Sequence, residues 1–144
     1  PKSQTINSTD MTATVTYDAN LRTTCLHLQS GSSFETDAPS DNKGQGARFS
    51  PTDLIATGLG ACLITTMGIK AESMDIKLDG AKVDVTKVMM SEPRRIGKIV
   101  IAVTMPALNL DAHTKEILER VGRTCPVERS LHPDMELDIS FTWL

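Results

Sequence analysis

The sequence is poor in aromatic residues: one Trp, one Tyr and three Phe make up 3% of 144 residues. Single-stranded nucleic acid is bound on aromatic platforms, so it is not an expected partner. Basic charge is not in excess either. The net charge of −3 leaves no electrostatic footprint for nucleic acid or for an anionic membrane. Long apolar runs are missing as well. The longest uncharged stretch, 54–69, falls short of the roughly 20 residues a spanning helix needs, and Thr and Gly interrupt it. No N-terminal stretch has the order of a signal peptide, so the expectation is a cytoplasmic protein.

Cysteine is equally scarce. Cys25, Cys62 and Cys125 form no C-x-x-C pair and are too few for a secreted disulfide framework. In a reducing compartment such thiols are redox-active or inert rather than bridging. Cys25 lies two residues from His27, on the same face of an expected strand. With only His113 and His132 elsewhere, no recognised ligand spacing results, and no metal is expected. A phosphate loop, G-x-S-x-G and H-E-x-x-H are all lacking.

What remains is ordinary globular composition, 40% hydrophobic and 23% charged, in a length that suits one domain, 1–144, with a sizeable core. The polar residues 1–10 are expected to fray. Alternating patterns predict strands over 12–18 and 21–29 with a turn near Ala19-Asn20, and a short strand over 34–36. The segment 37–49 is rich in turn residues and reads as a mobile surface loop. Ser50 as N-cap, Pro51 as first helical residue and Asp53 as a capping-box acid open a helix running to Ser73. That helix is apolar nearly all round from 54 to 69, which predicts a central, buried position. Gly58 and Gly60 each cost about 1 kcal/mol of helix propensity against Ala, which suggests close approach by another backbone.

Strands are expected over 76–90 and 95–108 around a turn at Glu92-Pro93-Arg94. Asp111 caps an amphipathic helix, "AHTKEILERVG", and a short helix follows Cys125-Pro126. "MELDISFTWL" alternates cleanly as a final strand. Strands with two segregated helices make this an α+β fold with mostly antiparallel pairing.

Cys125 has two local readings. Ahead of Pro126 it stands at a helix N-cap, where the helix dipole, Arg123 and Arg129 would lower its pKa and favour the thiolate. Alternatively, a small apolar thiol simply fills a niche at the helix start. Cys62, in the middle of the apolar helix, reads locally as a packing residue, and would need a nearby cation to react.

Taken together, "SPTDLIATGLGAC" and the later "CPVERSL" resemble the OsmC/Ohr family, the osmotically inducible protein C and organic hydroperoxide resistance proteins. "LRTTCLHLQSG" and "TDAP" resemble a more divergent OsmC-like branch, so the likeness runs from about residue 12 to 144. The resemblance implies an α+β fold with a buried central helix, intertwined as a tight homodimer whose sites form at the interface. It also implies a thiol peroxidase acting on organic hydroperoxides, without metal, haem or flavin. By that resemblance Cys62 is the peroxidatic cysteine, Cys125 the resolving one, and Arg22 the cation that activates Cys62. A dithiol reductant, by analogy a lipoylated protein, would regenerate it. The family's glutamate after the helix-start proline is replaced here by Thr52. Asp53, or Glu128 across the interface, is then the acid expected to orient Arg22. A non-enzymatic dimeric binding module and a thiol redox sensor are the alternatives on the same fold. Phe49, Leu54 and Met67 are expected either to line a pocket for a hydrophobic tail or to serve as core.

Overall fold

The computed structural model describes residues 5–144. Of the ten residues expected to fray, 1–4 lie outside the described residues, and Ser8–Asp10 form a 3-10 turn. The chain divides into two compact units, Pro1–Thr52 and Asp53–Leu144.

The first unit is an antiparallel meander of β1 (Ala13–Ala19), β2 (Arg22–His27) and β3 (Ser33–Asp37). Thr and β-branched residues favour these strands. The β1–β2 connection is tight: Ala19, Asn20 and Leu21 have φ of 76, 58 and 62°, and the Tyr17 hydroxyl accepts the Leu21 N–H at 3.2 Å. Register places Val15 opposite Cys25, and Cys25 opposite Phe34. Partners directly across a pair share a face. That face is therefore apolar, yet Val15, Tyr17 and Phe34 are exposed.

The segment after β3, read from the sequence as a mobile loop, is instead folded on itself. Asp37 N–H donates to Phe49 O (3.1 Å), Gly44 N–H to Pro39 O (3.0 Å) and Gly46 N–H to Ala38 O (3.2 Å). A Cβ at Gly44 would stand 1.8 Å from Ala38 O, so only glycine fits there.

The second unit contains almost all of α1 (Pro51–Ser73), followed by β4 (Lys82–Met90), β5 (Arg95–Met105), α2 (Ala112–Gly122), α3 (Pro126–Ser130) and β6 (Glu136–Trp143). The sheet order is β4-β5-β6. β4 pairs antiparallel with β5, but β5 and β6 are parallel. A parallel pair needs a long crossover, which α2 and α3 supply. β4 starts later than the pattern suggested because Gly80 (φ 88°) turns the chain just before it. β5 ends at Met105 because Pro106 has no N–H for the ladder.

The core is the stripe Ala56, Leu59, Leu63, Met67 and Ala71 of α1 packed with Ile99, Ile101, Val103 and Met105 of β5 and with Leu118 of α2. Such spacing marks one helix face. The central, buried position expected of α1 is found on this stripe. Ile55 is 47% and Ile69 68% exposed, so the opposite face is apolar but uncovered. By length and composition α1 could cross a membrane, but its packed stripe is that of a core helix. The glycines also divide. Gly60 lets α1 approach the sheet, since a Cβ would stand 2.8 Å from Val85 Cγ2. Nothing lies within 4 Å of a Cβ at Gly58. Met67 is core, Leu54 half-buried and Phe49 53% exposed.

Candidate functional site

In the N-terminal unit, the strand pairing sets Arg22 directly opposite Asp37. Arg22 Nε donates to Asp37 Oδ1 at 2.7 Å and Nη2 to Oδ2 at 2.9 Å. This is the bidentate geometry that suits guanidinium and carboxylate. The Ala47 N–H adds a third donor to Oδ2 at 3.1 Å. Asp37 is only 2% exposed. Hydrogen bonding from Arg22 nonetheless holds its carboxyl below the usual range, against the opposing effect of burial. Arg22 is raised in return, chiefly by the same bonds.

Asp37 was not singled out by the sequence reading, which looked to Asp53 or Glu128 for this partner. Within this chain Asp53 pairs with Lys87 of β4 at 2.9 Å. Glu128 meets the site through its backbone, as described below. The signal for Asp37 lay in the pairing register, which places an acid opposite an arginine 15 residues away.

In the C-terminal unit, Cys62 sits half-buried on α1, off the core stripe. Cys125 is fully buried at the N-cap of α3, with Pro126 as the first helical residue. Gly122 closes the distance between α2 and α1: a Cβ there would stand 2.8 Å from Met67 Cγ and Sδ. That close approach sets the following residues, 123–125, down beside α1. As a result Cys125 and Cys62 lie near enough for each thiol to influence the other, and both are free.

The expected lowering of the Cys125 pKa is overturned. Burial pushes the thiol up, and the interaction with Cys62 adds to the rise. Cys125 makes no capping hydrogen bond, although the N–H groups of Glu128 and Val127 still favour the charged sulfur and oppose the shift. Of the two arginines expected to help, Arg123 is turned elsewhere. Arg123 donates from Nη2 to Ile139 O at 3.2 Å and stacks over the Phe141 ring at 5.1 Å.

One further group touches Cys62. Thr66, a turn further along α1, donates from its hydroxyl to Cys62 O at 2.7 Å, and its Oγ1 lies 4.0 Å from Cys62 Sγ. Sequence reasoning passed over it because a threonine in an apolar helix carries no signal by itself. Among the described residues no cluster of His, Cys, Asp and Glu could hold a metal ion. An open groove of about 510 Å³ lies further along α1, lined by Ile64, Gly68, Glu72, Ile76, Leu78 and neighbours, and includes neither cysteine.

Comparison with known proteins follows the same lines. Residues 44–140 match the family model described as OsmC-like protein. No curated protein gave a significant match. Among solved structures, the chain is similar to a candidate osmotic stress induced and detoxification response protein of Psychrobacter arcticus. The two share 45% identity and a TM-score of 0.88, over 92% of this chain and 96% of that one. It is also similar to an organic hydroperoxide resistance protein OsmC of Legionella pneumophila, at 18% identity and TM-score 0.68 over 90% and 94%. The organic hydroperoxide resistance protein OhrB of Bacillus subtilis matches at 18% identity and TM-score 0.64 over 92% and 98%.

Proposed function

The chain belongs to the OsmC-like protein family, and on that premise we propose that it is a cysteine-based peroxidase acting on organic hydroperoxides. The observation that carries this reading is the thiol pair. A half-buried Cys62 and a buried Cys125 are reduced neighbours in one unit. The structural neighbours named for organic hydroperoxide resistance share the fold and lend it support.

In the proposed reaction the Cys62 thiolate attacks the outer oxygen of R–O–OH. The O–O bond breaks, the alkoxide takes a proton and leaves as an alcohol, and Cys62 becomes a sulfenic acid. The Cys125 sulfur then attacks the Cys62 sulfur, hydroxide leaves and is protonated to water, and a Cys62–Cys125 disulfide forms. A dithiol, by family analogy a lipoyl group, takes up the disulfide by exchange and is itself oxidised. Arg22, held by Asp37, is the cation assigned to the Cys62 thiolate by the family resemblance. Burial keeps Cys125 from the peroxide and leaves it for the second step.

The same reading makes the active form a homodimer. The apolar face of β1–β3 and the uncovered face of α1 are exposed on this chain, and a second copy would cover both. The three free thiols suit a reducing cytoplasm.

The test mixes reduced protein with one equivalent of cumene hydroperoxide and counts thiols, beside Cys62→Ser and Cys125→Ser. Rapid loss of two thiols is expected in the wild type. Cys62→Ser should be inert, and Cys125→Ser should stop at the sulfenic acid. Equal thiol retention in all three would overturn the reading. Ile69→Lys should yield monomers in sedimentation. One observation favours a second reading, a thiol redox sensor: the raised pKa of Cys125 slows its attack, which suits a single oxidation better than turnover. Repeated cycles with dihydrolipoamide separate the two readings.

A further inference from the structure

Cys62 and Thr66 are four residues apart on α1, so their side chains share one face. Helical side chains lean toward the N-terminus, which lays the Thr66 hydroxyl over the turn that carries Cys62. The hydroxyl holds one proton and two lone pairs. Its proton is directed to Cys62 O at 2.7 Å, which leaves a lone pair toward Cys62 Sγ at 4.0 Å, within reach of a weak S–H donor.

That arrangement changes sense when the thiol ionises. The S–H is lost to solvent, and the sulfur becomes an acceptor. Rotation about the Thr66 Cβ–Oγ bond turns the hydroxyl proton from the carbonyl to the sulfur. The carbonyl is not stranded, because in an α-helix it also accepts the backbone N–H four residues on. Arg22, meanwhile, spends its Nε and Nη2 on Asp37.

We propose that Thr66 is a positioning residue for Cys62: its hydroxyl accepts from the thiol, then donates to the thiolate, and so holds the sulfur in one orientation for attack. The attack itself rests on the peroxidase reading; the proton exchange does not. A threonine that only bonds back to its own helix would do the first part without the second.

Alkylation by iodoacetamide at neutral pH separates these roles, with Cys62 followed by peptide mass spectrometry on the full-length protein. Thr66→Val removes the hydroxyl at constant shape. It should slow alkylation of Cys62 about tenfold at neutral pH, the loss expected when a hydrogen bond to a charged group is removed. Thr66→Ser keeps the hydroxyl and should stay within about twofold of wild type. If Val fails to fold by circular dichroism, Thr66→Ala supplies the hydroxyl-free arm. A hydroxyl-free variant within twofold of wild type, or Ser as slow as Val, overturns the proposal. Alkylation needs no hydroperoxide. A slowed Val variant beside a wild type inert to cumene hydroperoxide sinks the peroxidase reading and leaves Thr66 standing. An active wild type with an unaffected Val variant does the reverse.

Discussion

The two units bury opposite kinds of residue. Among the described residues, the buried polar groups Thr36, Asp37 and Ser50 all lie in the N-terminal unit, while the buried apolar core from Ala56 to Cys125 lies in the C-terminal one. Every residue of β1 is exposed, whereas β5 buries alternate positions from Ile99 to Met105. The first unit is thus knit by hydrogen bonds and by the ion pairs Arg22–Asp37 and Arg48–Glu35, the second by close packing. Chemistry follows the same division: a charge pair is prepared in one, a pair of thiols in the other.

The largest effect should come from the packed unit. Leu63→Ala opens a cavity beside Cys62 and Gly122, and should cost about 2–5 kcal/mol in urea unfolding. A loss under 1 kcal/mol would mean that this unit is not held by its core.

Opposite pH limits should sharpen the contrast. The Asp37 pKa is depressed by Arg22, so its contribution is present above the unfolded carboxylate pKa of about 3.9 and is lost as pH falls through the lower folded value. The Cys125 pKa is raised by burial, so its contribution is complete below the unfolded thiol pKa of about 8.5 and is lost as pH rises toward the higher folded value. Unfolding followed against pH should show Asp37→Asn flattening the acid limb alone and Cys125→Ala the alkaline limb alone. The same limb flattened by both variants would break the distinction.

The smallest effect belongs to the polar unit. Thr36→Val leaves the Thr23 hydroxyl without its 2.5 Å partner and should cost about 1 kcal/mol, measured by urea unfolding. A stabilising result would show that the first unit gains from apolar burial as the second does.

Which parts were readable in the sequence follows from the range of the interactions. The α2 cap at Asp111, where Thr114 N–H donates to Oδ1 at 2.8 Å, is a local signature and was read correctly. So were the start of α1 at Pro51, the start of α3 after Cys125 and the alternation of β6. Asp37 was missed because its partner comes from pairing across a sheet, and its segment looked like ordinary turn composition. The parallel β5–β6 contact was missed for the same reason. Apolar residues nearly all round predict the central, buried α1 that is found, but within one chain the burial reaches one face only, since the pattern does not say which face the sheet takes. Arg123 misled because nearness in sequence does not aim a side chain: it reaches β6 instead.

That reach has a consequence for the order of assembly. β6 pairs with β5 only after two intervening helices, so it is a late, high-separation contact in any folding route. Arg123 grips β6 two residues before Cys125, and Phe141 of that strand lies under its guanidinium. On a growing chain, Cys62 and Cys125 are therefore both made well before the strand that fixes the approach to Cys125 can dock. The last strand thus adds its grip on Arg123 only after both thiols have been made.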